Sequence, residues 1–100
     1  MPTEPPTDSR YVLTLYVSGR TSRSEQAIRN LRRICDQTLH GRCQLTIVDV
    51  LESPDEADDE RILATPTVVR REPRPPRRII GDLSDTAKVV VGLELPDGMA

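Results

Sequence analysis

The chain has 100 residues, 36% of them hydrophobic, and a net charge of −2 from 14 basic and 16 acidic side chains. That length gives one domain with a modest core, and without Phe or Trp the core must be built from Leu, Ile, Val and Ala. The charge balance argues against a dedicated nucleic-acid binder, two cysteines do not make a disulfide scaffold, and no apolar run is long enough to span a bilayer.

Residues 1–9 are polar and rich in proline, the composition of a disordered tail. The domain is expected over 10–96, with a short second tail at 97–100. No signal-peptide pattern opens the chain, so the expected location is the cytoplasm. The first element is a strand at 11–18, YVLTLYVS. Tyr11, Leu13, Leu15 and Val17 alternate with Val12, Thr14 and Tyr16, and both faces are largely apolar. That is the pattern of a central strand covered on two sides.

A helix follows. Ser22 and Glu25 have the spacing of a capping box, and Ala27, Ile28, Leu31, Ile34, Cys35 and Leu39 recur at helical spacing. Gly41 can supply the left-handed residue that ends this helix, with His40 beside the last carbonyls. The second strand is expected at 43–51, CQLTIVDVL. Strand, helix and strand in so short a stretch form a βαβ unit with parallel strands and a right-handed crossover.

Residues 53–63 open a second helix, short and mostly exposed. Ser53 is placed to cap it, Pro54 suits the first helical position, and its acids crowd the end that the helix dipole makes favourable. TVVRRE (67–72) and RRIIGD (77–82) read as two strands of a hairpin joined by PRPP. Ser84 then caps a closing helix with Ala87, Val90, Val91 and Leu95 on its apolar side. Here pattern and composition conflict: Val89, Val90 and Val91 are β-branched, and Gly92 costs about 1 kcal/mol inside a helix. The order β-α-β-α-β-β-α is thioredoxin-like, and Pro66 falls where that fold places a cis-proline before its third strand.

Charge is unevenly placed. Residues 52–60 carry six acids and 70–78 carry five arginines, and both patches read as solvated surface able to steer a partner. The catalytic position of a thioredoxin-like enzyme, at the start of the first helix, reads SGRTSRS and has no cysteine. Cys35 and Cys43 lie elsewhere, Cys35 as a small buried group and Cys43 as a more exposed one. No Cys/His cluster has zinc spacing, no glycine-rich loop suits phosphate, and one helix-terminal histidine does not make a nucleophilic triad. The reading is a non-catalytic protein without metal or cofactor. The alternative is a redox or stress-response protein acting through Cys35 or Cys43. Nucleic-acid binding through the 70–78 arginines is disfavoured by the missing stacking aromatics.

YVLTLYVSG, LTIVDVLESP, DERILATPTVV and RRIIGDLSDTAKVVVGLEL together resemble the KaiB family of circadian-clock proteins, over roughly residues 10–95. The resemblance implies binding, in the thioredoxin-like state, to the hexameric KaiC-type ATPase and kinase ring, and modulation of its phosphorylation cycle. It implies contacts through the second helix, where Glu56 and Asp58 lie, and through Arg61 after it. It also implies capture of a KaiA-like regulator through the second strand; the matching positions are Gln44 and Thr46, where the family tends to have a small residue and a lysine. Finally, it implies fold switching. The second half takes either the thioredoxin-like form, as a monomer, or an alternative βαββααβ form that self-associates as a tetramer. Pro66 and Gly81 border or lie in that half, and Gly92 and Glu94 match positions in its terminal segment. This chain has Arg71 and Glu72 at apolar family positions and Arg74 interrupting the prolines. Such charge suits an exposed hairpin and not a buried contact, which leans the chain toward the thioredoxin-like form and away from the tetramer.

Overall fold

The computed structural model describes residues 11–96. The two expected tails, 1–9 and 97–100, lie outside the described residues, as does Arg10 at the expected domain boundary. The elements in order are β1 (Tyr11–Val17), α1 (Ser22–Leu39), β2 (Cys43–Asp49), α2 (Pro54–Asp59), β3 (Thr67–Glu72), β4 (Arg77–Ile80) and α3 (Thr86–Gly92). This is the order expected from the sequence. They form one four-stranded sheet, β2-β1-β3-β4. β1 runs parallel to β2, with Tyr11 opposite Cys43 and Val17 opposite Asp49. β3 is antiparallel to both β1 and β4.

The alternation in β1 splits the core into two layers. Leu13, Leu15 and Val17 join Ala27, Leu31, Ile34, Cys35 and Leu39 of α1 and Val68 of β3, with Val89, Leu93 and Leu95 closing the same layer from the chain's end. On the opposite face Tyr16, Val48 and Val69 form a smaller cluster, flanked by Val50 and Ile62 around α2. Tyr16 has no exposed surface. β1 is therefore the doubly covered central strand that its two apolar faces predict.

Two helix starts differ from expectation. α1 is capped by Thr21, whose Oγ1 accepts the Ser24 amide at 3.1 Å, and Ser22 is already helical. Ser24 is buried and Glu25 exposed. α3 is capped by Asp85, whose carboxylate accepts the Lys88 amide at 3.2 Å, and not by Ser84. At its other end α1 closes on His40 (φ 50°), with Gly41 (φ 80°) continuing the left-handed turn. α2 starts at Pro54 after Ser53, which makes no side-chain capping bond, and it ends at Asp59, short of the expected 63.

The apolar side of α3 is also corrected. Ala87 and Val91 are exposed and Val90 is partly buried, while Val89 is buried with Leu93 and Leu95 beyond the helix. The helix is only seven residues long, so its anchors fall mostly after it ends. Gly92 marks its last residue. A Cβ there would lie 2.9 Å from Ile79 Cγ1 and closer still to Cδ1. A glycine that costs helix propensity thus lets α3 press onto β4.

Candidate functional site

The Thr65–Pro66 bond is cis, and Pro66 is buried ahead of β3. Its carbonyl accepts the Gly81 amide at 2.9 Å. Gly81 has φ 132°, a backbone region that side chains disfavour. Pro66 and Gly81 therefore close the β3–β4 ladder at the end nearest α2. Pro66 lies beside the C-terminal end of β1, because Thr67 pairs with Tyr16. In that region residues 18–21 read Ser-Gly-Arg-Thr. Asp49 orders this turn by accepting the Gly19 amide at 3.0 Å.

Cys35 and Cys43 sit at the other end of the sheet. Cys43 pairs with Tyr11, so the length of β1, about 20 Å at roughly 3.3 Å per residue, separates it from the Pro66 region. The two sulfurs are 2.9 Å apart. The Cys35 thiol is pushed up from its ordinary value, first by its hydrogen bond to Cys43 and then by burial; the same bond holds the Cys43 thiol low. The sequence did not anticipate this pairing, since a helix end and a strand start meet only through the turn at 40–42.

The residues singled out for partner contact share one side of the sheet. Gln44 and Thr46 are exposed on edge strand β2. They alternate with the residues facing α1, and so point the same way as Val48, toward the α2 side. Glu56 and Asp58 are exposed on α2, where Ala57 is the buried residue. Arg61 follows with φ 56°, its amide bonded to the Asp58 carbonyl at 3.1 Å. The five residues together offer two exposed acids, one arginine and two neutral polar groups.

The hairpin arginines are not simply solvated, which corrects the reading of 70–78. Arg70 is 3% exposed. Its guanidinium donates to the carbonyls of Pro73 and Pro75, the latter at 3.0 Å, and lies 3.9 Å from the Glu94 carboxylate. Among the described residues its Nε is the buried side-chain polar atom without a partner. Arg71 reaches across the sheet face. It donates to Thr14 Oγ1 at 2.9 Å and to the Tyr16 hydroxyl, and pairs with Glu60 at 3.2 Å. Arg78 donates to the carbonyls of Glu60 and Arg61 at 3.0 and 3.3 Å. Arg77 pairs with Glu94 at 3.0 Å. A groove of about 640 Å³ beside this network is lined by Glu60, Val69, Arg71, Arg74, Arg77 and Arg78 among others. Glu94 therefore joins the chain's end to both strands of the hairpin.

Among the described residues no group of three or more His, Cys, Asp or Glu is arranged to hold a metal ion. No helix there is long and apolar enough to cross a membrane.

The N-terminal domain of SasA from Synechococcus elongatus has a similar structure, with a TM-score of 0.70 at 21% identity, covering 91% of this chain and 86% of that one. The oxidised mitochondrial thioredoxin 3 of Saccharomyces cerevisiae superposes with a TM-score of 0.67 at 19% identity, covering 84% and 76%. The fold is therefore thioredoxin-like. In sequence, the circadian clock protein KaiB3 of Synechocystis sp. is 47% identical over 92 residues, 91% of this chain and 90% of that protein. The circadian clock oscillator protein KaiB of Trichodesmium erythraeum is 47% identical over 90 residues, 90% and 86% of the two chains. A family model described as the KaiB domain matches residues 14–95. Across nearly its whole described length, on both measures, this chain belongs to the KaiB family.

Proposed function

We propose that this chain is a clock regulator that binds a KaiC-type hexameric ATPase ring in its thioredoxin-like form and modulates the ring's phosphorylation cycle without catalysis of its own. The observation that carries the reading is the state of the second half. In a KaiB-family chain, β3, β4 and α3 take the thioredoxin-like arrangement, the one that the family resemblance ties to ring binding. The likeness of the fold to the SasA N-terminal domain supports a surface of the same general shape.

In this reading the exposed face of α2 supplies Glu56 and Asp58, and Arg61 extends it. Gln44 and Thr46 lie on the adjoining edge strand, where a KaiA-like regulator would meet the assembled complex. The free chain is a monomer in this form. Conversion to the βαββααβ form would break the contacts of Glu94 and Gly92 with the hairpin, and Pro66 marks the border of the part that converts.

Titration of the fluorescently labelled chain into a KaiC-type ATPase ring tests this. Saturable binding is expected, weakened at least tenfold by the double substitution Glu56→Lys/Asp58→Lys with the circular dichroism unchanged. Failure to bind cognate and paralogous rings, or binding indifferent to that substitution, overturns it.

A further inference from the structure

The cysteine pair is not used by the proposed binding function and lies at the other end of the sheet from Pro66. Cys35 occupies the last turns of α1, 7% exposed among the core residues Leu31, Ile34 and Leu39. Cys43 is the first residue of β2, partly exposed on a strand whose outer edge is unpaired in the sheet. Three residues connect the two elements. His40 and Gly41 take left-handed conformations, the Arg42 amide donates to the Leu39 carbonyl at 2.8 Å, and the Arg42 carbonyl accepts the Tyr11 amide at 3.0 Å. The turn is thus held by the backbone at both ends, and the thiols face each other before any bond forms. Their sulfurs, 2.9 Å apart, need to approach by only about 0.9 Å to reach disulfide length.

We propose that Cys35 and Cys43 form a thiol–disulfide modification site, closed by low-molecular-weight disulfides of the glutathione class into a covalent staple between the end of α1 and the start of β2. The roles follow from position. Cys43 is reachable from solvent, and its 2.9 Å contact with Cys35 Sγ favours the Cys43 thiolate. Cys35 is shielded and sits toward the negative end of the α1 dipole, which holds it as a thiol. The Cys43 thiolate attacks one sulfur of the external disulfide, forming a mixed disulfide and expelling one thiolate. That departing thiolate takes a proton as Cys35 loses its own. The Cys35 sulfur then attacks Cys43 Sγ, and the second external thiolate leaves and is protonated. Two protein thiols are oxidised to one disulfide, and one external disulfide is reduced to two thiols. The site closes on itself without a substrate facing Pro66, so it is a modification site of the chain and not a thioredoxin-type active centre.

The test equilibrates the full chain in buffers of varied reduced-to-oxidised glutathione ratio. The reaction is quenched in acid, free thiols are alkylated, and intact mass is measured. In oxidising buffer the expected product is a monomer lighter by two hydrogen atoms, carrying neither alkyl group nor glutathione and restored by reduced thiol. Cys35→Ser should instead accumulate one glutathione on Cys43. If that variant does not fold, the transient adduct on Cys43 of the wild-type chain, mapped by peptide mass spectrometry, reads the same step. Two alkylatable thiols persisting in oxidising buffer, a stable glutathione adduct on the wild-type chain, or a disulfide-linked dimer would each overturn the proposal.

Discussion

Gly92 and Arg71 do the opposite of what their residue types suggest. Gly92 costs helix propensity, and Ala there gains about 1 kcal/mol on that count. The added methyl overlaps Ile79, and overpacking costs about 1–3 kcal/mol, so Gly92→Ala is expected to lower stability. Adding Ile79→Ala should recover part of the loss, a favourable coupling readable in urea denaturation. Arg71 is a charged residue on a strand, yet it is the partner of the buried Tyr16 hydroxyl. Arg71→Met leaves that hydroxyl unpaired, at a cost of about 1–3 kcal/mol; the Glu60 pair, a third exposed on both sides, adds little. Burial raises the Tyr16 pKa above the usual 10.0, and Arg71 opposes the rise. A raised folded-state value means that neutral Tyr16 contributes stability below pH 10, and that this contribution is lost as pH climbs through the folded-state pKa. In a Tyr11→Phe background, the tyrosinate absorbance should titrate above the usual value, and higher still with Arg71→Met. None of this was legible in RREPRPPRR. The β-branched pair Val68 and Val69 marks a strand, but whether an arginine folds back on carbonyls or faces water depends on the turn that follows it.

At the scale of elements, strand positions were more legible than caps. β3 runs Thr67–Glu72 as its composition indicates, because β-branched residues after a proline leave the backbone little choice. Thr21 and Ser22 are both competent caps, as are Ser84 and Asp85, and the fold uses Thr21, with Ser24 buried, and Asp85. Asn30 was missed as well. It sits among helical surface positions by pattern but is buried, and donates to the Asp82 carbonyl at 2.8 Å, tying α1 to the loop before α3. The conflict noted in the VVV run resolves through Leu93 and Leu95, which hold α3 from beyond its end. Leu93→Ala should therefore cost about 2–5 kcal/mol. Val91, 75% exposed, should tolerate Ala or gain a few tenths of a kcal/mol from propensity, as thermal melts will report. Glu94→Ala removes the ties to Arg77 and Arg70. Glu94 is 55% exposed, so global stability should fall by no more than about 1 kcal/mol, while hydrogen-exchange protection of the Val89–Leu93 amides falls most.

At the scale of the molecule, the element order and the doubly covered β1 were readable because each half buries its apolar face in only a few ways. The division of the hairpin's charge between surface and interior was not, because it depends on contacts between elements distant in sequence. With α3 following β4, Arg70 and Arg77 reach Glu94, and with β3 beside β1, Arg71 meets Tyr16. These contacts belong to the thioredoxin-like arrangement of the second half. Backbone NMR assignment of the free chain tests this most directly. The account predicts helical shifts across Thr86–Gly92 and cross-strand contacts between Leu15 and Val68; extended shifts over 86–92 in the dominant free form would contradict it.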